Sequence, residues 1–334
     1  MAKQIRFAMI GAGKVAALHT LALNGLRAAR IAAVCDPVAA RAEGLAASCG
    51  AAACSFEEAL ADPDIGAMIL ATPSDLHLAQ VRRCLSAGKH VLCEFPLYCA
   101  PAEIARLATL AQQRGVCLMV AHTTHYLPPY VKVKRLLDHG EIGALHTLLY
   151  RRRLYRPGGI APERDWRDNA LTHLGGHVLD LIPWLLDDQP RHLAVTAQPS
   201  AQEATVVGAL MGMSSGAISL FSIDFESRPN GVWLEAAGSA GTLTVTGFSR
   251  LEINGRVRWQ APDDDTPYRA AIAAQDRDFV KAIQGGAAGV SLQDTRKVNG
   301  LIARAFRLAR SAPQLTGSMA TMARAERPRR ERIR

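Results

Sequence analysis

The chain has 334 residues, 49% of them apolar and 21% charged, a balance that supports a substantial core and excludes a disordered or fibrous protein. The formal net charge is +9, but Arg324 to Arg334 holds six arginines against two glutamates; much of the excess sits in a solvated terminal stretch and does not argue for nucleic acid. No run reaches the roughly 18 uncharged apolar residues of a membrane span, and Ile5–Ile10 is too short for a secretory leader, so a soluble cytoplasmic protein is expected.

In chain order, Ile5–Ile10 reads as a strand, followed by a glycine turn and a helix to about Gly25. Ile31–Cys35 is a second strand ending at Asp36, and residues 38–49 are alanine-rich and helical. Ser55 and Glu58 form a capping-box pattern opening a short helix. Gly66–Ala71 is a strand, Thr72-Pro73-Ser74 leads into a helix ending near Gly88, and His90–Cys93 is a strand ending at Glu94-Phe95-Pro96. Pro101–Arg114 is a helix and Val116–Ala121 a strand. Strand–helix alternation at this spacing predicts a doubly wound parallel sheet, a Rossmann-type α/β domain.

The pattern then changes. Pro128-Pro129 opens a helix ending near His139, Leu145–Arg153 is a strand, and residues 156–169 are a polar loop. Leu171–Leu186 is helical. Strand-like runs follow at 204–212, 216–225, 231–236, 242–246 and 250–253, then helices at 268–284 and 292–310. This second part predicts an α+β domain with a broad, open, mainly antiparallel sheet. The expected division is 1–122 for the dinucleotide domain, 123–312 for the substrate and oligomerisation domain, and 313–334 for a basic disordered tail. The last helices of the second domain are free to pack back on the first.

Gly11-x-Gly13-x-x-Ala16, which includes Lys14 and Val15, follows a strand and opens a helix. Gly11 permits the tight turn, Gly13 lets the backbone approach a pyrophosphate, and Ala16 allows close helix–strand packing. The helix N-terminus then faces the anion. Asp36 lies at the end of the next strand, where ribose hydroxyls are expected. A carboxylate there favours NAD over NADP, although Arg41, one turn on, leaves NADP open. Thr72, Pro73, His77 and Glu94 fall at the sheet edge that faces a ligand and are expected to line the same pocket.

His173, His177 and Asp180 stand at i, i+4 and i+7, which shares one helix face. Histidine titrates near neutrality and suits proton transfer. A metal site on this His-x-x-x-His spacing and a helix with hydrogen-bonded core histidines are rival readings; the expectation is catalysis without metal. The seven cysteines are odd in number and form no CxxC, so buried reduced thiols are expected. Cys93 is notable for its place beside Glu94.

Gly11–Ala16, Asp36-Pro37, Ala71-Thr72-Pro73, Ala87–Glu94, His177–Leu181 and the Glu235–Gly241 turn occur in this order. Together they resemble the glucose-fructose oxidoreductase, inositol dehydrogenase and rhizopine catabolism family (Gfo/Idh/MocA), over about residues 5–310. The resemblance implies NAD(P)-dependent dehydrogenation of a CH–OH group and an open sheet that supports homodimers or homotetramers. Most members carry Glu-Lys-Pro, and an Asp four residues before the catalytic His; here Phe95 and His173 stand in those places. In both respects the chain is similar to the 4-carboxy-2-hydroxymuconate-6-semialdehyde dehydrogenase branch, as it is in His122-Thr123, Tyr150-Arg151-Arg152 and the Pro162–Asp168 loop.

That branch implies oxidation of a carboxylate-bearing cyclic hemiacetal to a lactone. The implied catalytic groups are His177 as base, His173 as its partner or alternative, and Glu94. The implied substrate contacts are Phe95, His122, His125, Arg151, Arg152, Trp166 and Asp180, with Arg153, Arg156, Arg164 and Arg167 as further cations for carboxylates. A sugar, cyclitol or other cyclic hydroxy-acid dehydrogenase of the same family and a non-catalytic dinucleotide-binding regulator are the alternatives.

Overall fold

A computed structural model describes residues 4–156 and 169–312. Trp166, Arg164, Arg167 and the 313–334 tail lie outside the described residues.

The N-terminal sheet has six parallel strands in the order β3-β2-β1-β4-β5-β6. They are β1 (Ile5–Ile10), β2 (Ala29–Cys35), β3 (Ala52–Ala53), β4 (Ala67–Leu70), β5 (His90–Cys93) and β6 (Leu118–Val120). β4 is buried along its whole length and β1 and β5 along most of theirs, as expected for a sheet covered on both faces. The covering helices are α1 (Lys14–Asn24), α2 (Ala39–Cys49), α3 (Phe56–Ala61), α4 (Ser74–Ser86) and α5 (Pro101–Arg114). The Ser55–Glu58 capping box forms as expected. β1 pairs with β2 on one side and β4 on the other, so strand order reverses there and a crevice opens at the strands' carboxyl ends.

A 3₁₀ turn (Thr123–Tyr126) and α6 (Pro128–Asp138) lead into β7 (Leu145–Arg153). A π-helical turn, Ala170–Leu174, opens α7 (Gly175–Leu186). The second sheet has eight strands in the order β14-β13-β12-β11-β7-β10-β9-β8. After β7 these are β8 (Pro190–Gln198), β9 (Val206–Met213), β10 (Ile218–Asp224), β11 (Gly231–Gly238), β12 (Gly241–Thr246), β13 (Arg250–Ile253) and β14 (Arg256–Gln260). All neighbours are antiparallel except β7 and β10. The sequence reading did not anticipate β3, β8 or β14.

α8 (Asp265–Ile283) and α9 (Leu292–Ser311) return toward the first domain. Phe279 of α8 packs edge-on against Phe7 of β1 at 6.2 Å. Asn299 of α9 donates from Nδ2 to the carbonyls of Leu97 and Cys99 at 2.8 and 3.1 Å. Chain from both ends therefore packs together around the first sheet.

Candidate active site

A cleft of about 790 Å³ runs from the glycine turn to α7, lined by Gly11, Gly13, Asp36, Glu94, Phe95 and His173 among others. Gly11 has φ +99°, and a Cβ there would stand 2.5 Å from the Ala71 carbonyl oxygen, so only glycine fits. A Cβ on Gly13 would meet nothing within 4 Å; its bare backbone faces open space at the helix N-terminus, which is what a pyrophosphate needs. Asp36 accepts from the backbone N–H groups of Ala12 and Val38, both at 2.9 Å. Its carboxylate is thus fixed on the cleft wall where a ribose would bind. These features fit a dinucleotide.

Val15, Arg41, Thr72, Pro73 and His77 line the same cleft. Lys14 is exposed on the first turn of α1 and does not. His77 is buried between the carbonyls of Thr72 (2.8 Å) and Pro96 (3.0 Å). It ties together the turns that follow β4 and β5. Burial lowers its pKa, against the pull of both carbonyls.

Glu94 accepts from His19 Nε2 at 2.9 Å, and Nδ1 of the same ring bonds Asp276 at 2.7 Å. His19 is on α1 and Asp276 on α8, so this buried imidazole links both domains to a cleft residue. Burial pulls the His19 pKa down, but the two carboxylates outweigh it and raise it to about 10. His19 is therefore an imidazolium at neutral pH. No local pattern signals this partnership, because its members are 75 and 257 residues apart.

At the far end, Asn169 caps the π turn, accepting from Leu171 and Thr172 N–H at 2.8 and 2.9 Å. The Gly175-Gly176 pair lets the Phe95 ring approach α7: a Cβ on Gly176 would meet Phe95 at 3.2 Å and Ile302 at 3.0 Å. Phe95 lies against His177, with ring centroids 4.3 Å apart, and His173 stands 5.4 Å from His177. The two histidines are adjacent as the spacing predicted, but His173 lines the cleft while His177 is half-buried behind Phe95. Burial, then the nearby His173 and Arg152, holds the His177 pKa well below its ordinary value, leaving a neutral imidazole.

Three expected substrate contacts lie elsewhere. His122, His125 and Asp180 form a separate buried cluster, with Asp180 Oδ2 2.8 Å from His122 Nδ1 and 2.9 Å from His125 Nε2. They do not line the cleft. Phe95 separates them from it: its ring contacts His122 at 5.5 Å. Arg151 is also misplaced by the sequence reading. Strand side chains alternate between faces, so exposed Arg151 lies over Trp233 on the outer face of the sheet, at 5.8 Å. Arg152 turns inward toward Phe248, at 5.7 Å. Arg156, just past β7, lines the cleft, as Arg41 does at its other end.

Residues 5–122 match the family model described as an oxidoreductase family with an NAD-binding Rossmann fold, and residues 130–244 match the GFO/IDH/MocA C-terminal domain. The chain belongs to the Gfo/Idh/MocA oxidoreductase family. It is 30% identical to the uncharacterized oxidoreductase YrbE of Bacillus subtilis, over 83% of this chain and 79% of that one. It is 28% identical to 4-carboxy-2-hydroxymuconate-6-semialdehyde dehydrogenase of Sphingobium sp. strain SYK-6, over 84% of this chain and 91% of the relative. Inositol 2-dehydrogenase of Rhizobium meliloti is 25% identical over 85% and 90%. The solved structure of GenD2 from gentamicin A biosynthesis in complex with NAD superposes with a TM-score of 0.80, at 24% identity over 93% of this chain and 95% of that one. This Gfo/Idh/MocA chain is thus an NAD-dependent oxidoreductase, and among its described residues no helix is long and apolar enough to cross a membrane.

Proposed function

We propose that the chain oxidises a cyclic hemiacetal bearing carboxylates to a lactone, the favoured substrate being the ring-closed form of 4-carboxy-2-hydroxymuconate 6-semialdehyde and the product 2-pyrone-4,6-dicarboxylate. The observation that carries this reading is the far end of the cleft: Phe95 occupies the family's lysine position, with His173 and Arg156 beside it. NAD supplies the hydride acceptor, bound along Gly11, Gly13 and Asp36.

The hemiacetal carbon loses hydride and its hydroxyl loses a proton, so the C–O bond becomes the lactone carbonyl. His173, at the cleft wall, passes that proton to His177, whose ring lies 5.4 Å behind it. Burial lowers the His177 pKa and so costs it basicity; a hemiacetal hydroxyl, more acidic than an ordinary alcohol, asks less of the base. Without a lysine ammonium to assist, an ordinary secondary alcohol is a poorer match. Arg156 and Arg152 supply guanidinium groups for carboxylates. Glu94, held by His19, borders the cofactor.

The outer sheet face exposes Leu210, Ile218 and Leu220, and Leu210 and Leu220 line a depression of about 550 Å³ with Leu149 and Trp233. We assign this face to a second copy of the chain, as a homodimer or as half of a homotetramer. Light scattering on the purified protein tests it, and a monomer would refute it.

The substrate is tested by following nicotinamide reduction with NAD and the semialdehyde, beside myo-inositol and a sugar panel. Turnover of the semialdehyde at least tenfold above any cyclitol supports the assignment. Preferred turnover of a cyclitol or sugar moves the chain to that class, and cofactor binding without turnover of any cyclic hydroxy compound makes it a regulator.

A further inference from the structure

We propose that His122, His125 and Asp180 form a binding site for a divalent transition-metal ion, best suited to Zn²⁺, separate from the cofactor cleft. The three come from the turn after β6 and from α7, and their ligand atoms lie within 4.8 Å of one another. All three residues are buried. Two imidazole nitrogens and a carboxylate oxygen are a donor set that selects zinc, cobalt or nickel over magnesium or calcium. With metal–ligand bonds of about 2.0–2.2 Å, the three atoms need shifts of roughly an ångström or less to surround an ion.

Two observations favour a cation over a plain hydrogen-bonded triad. His125 Nε2 lies 2.9 Å from Asp180 Oδ2 but off the line a hydrogen bond requires, so this buried nitrogen has no hydrogen-bond partner. An orphaned donor beside a carboxylate in the interior is costly, and a shared ion would satisfy both atoms. The outer contacts also fit. His122 presents Nδ1 to Asp180 while its Nε2 is 3.0 Å from Thr295 Oγ1, the pattern by which a second partner fixes a ligating imidazole. Trp184 stacks on His125 at 4.5 Å and 11°, which holds the ring's orientation.

A cavity of about 310 Å³ adjoins the cluster, lined by His125, Asp180, Gln189 and Asp294 among others. It offers an entry path and room for a water as fourth ligand. The ion would pin α7 to the turn after β6 and to Thr295 on α9. The histidines concerned are not the His173–His177 pair whose spacing first raised the question of metal.

The test uses the untagged full chain, stripped with chelator and titrated with Co²⁺, then Zn²⁺. One equivalent of Co²⁺ with the intense visible bands of a tetrahedral site, displaced by Zn²⁺ and lost in His125→Gln, is expected. X-ray absorption on the Zn²⁺-loaded wild-type protein reads the ligands directly, whether or not the variant folds. Two imidazoles with no sulfur are expected. Absence of stoichiometric binding, bands unchanged in His125→Gln, or sulfur neighbours near ~2.3 Å would overturn the site. Sulfur would point instead to Cys35 and Cys54, whose Sγ atoms are 3.7 Å apart.

Discussion

Two histidine–carboxylate clusters lie on either side of Phe95, and each inverts the other's composition. In the first, one imidazole (His19) sits between two carboxylates, Glu94 and Asp276, and both its nitrogens are hydrogen-bonded. In the second, one carboxylate (Asp180) sits between two imidazoles, and one nitrogen is left without a partner. The first joins the domains through an imidazole bonded on both sides, although Asp276 Oδ2 has no partner of its own. The second is short of a positive centre. Similar residue types thus serve as a structural tie in one place and as a ligand set in the other, and the ratio of imidazole to carboxylate decides which.

The largest effect is expected at the imidazole packed on Phe95. His177→Ala is expected to lower kcat about 10²–10⁴-fold, the usual contribution of a positioned acid–base group, while the melting temperature changes little. Turnover retained within tenfold would remove His177 from proton transfer. His19→Gln comes next: it removes a fully buried imidazole from between two carboxylates, at an expected cost of about 3–5 kcal/mol in urea unfolding.

The pH dependence separates the two clusters further. Folding raises the His19 pKa, so its contribution is complete below about 6.5 and fades as pH climbs through about 10. Asp180 behaves oppositely. Burial alone would raise its pKa, but His122 and His125 hold it far below the ordinary 3.8. Its contribution is present above that value and is lost as pH falls into the strongly acid range. Asp180→Asn is expected to cost about 1–3 kcal/mol, with the gap to wild type closing only in acid. Matching pH profiles for His19→Gln and Asp180→Asn would erase the distinction between the clusters.

The two arginines provide a gentler comparison. Arg156→Ala is expected to raise KM for a dicarboxylate substrate about 10- to 100-fold, the equivalent of roughly 1.5–3 kcal/mol for charged hydrogen bonds. Arg151→Ala, on the outer face, is expected to leave KM within about twofold, as surface substitutions do. Equal effects would mean that β7 presents the opposite face to the substrate.

The N-terminal half was legible because its signals are local. Ile5–Ile10, His90–Cys93 and Pro101–Arg114 have the bounds their apolar runs and proline predicted. β8 and β14 escaped notice because they lie at the edges of the second sheet, with mixed exposure and arginines that blur alternation. In the site, the glycine turn, Asp36 and the His173–His177 pair were all visible as spacing. The roles of His19, Asp276 and Thr295 were not, since each is defined by a partner far away in the chain.

The sequence alone determined the Rossmann domain, the sheet-rich second domain, the nucleotide cleft and the family, because backbone sterics and hydrophobic periodicity act over a few residues. Tertiary structure decided which imidazole lines the cleft, which of two adjacent arginines turns inward, and that Asp180 leaves His177 for His122 and His125. Those outcomes depend on how α7, α8 and α9 pack against the first domain. No spacing in the chain encodes that packing.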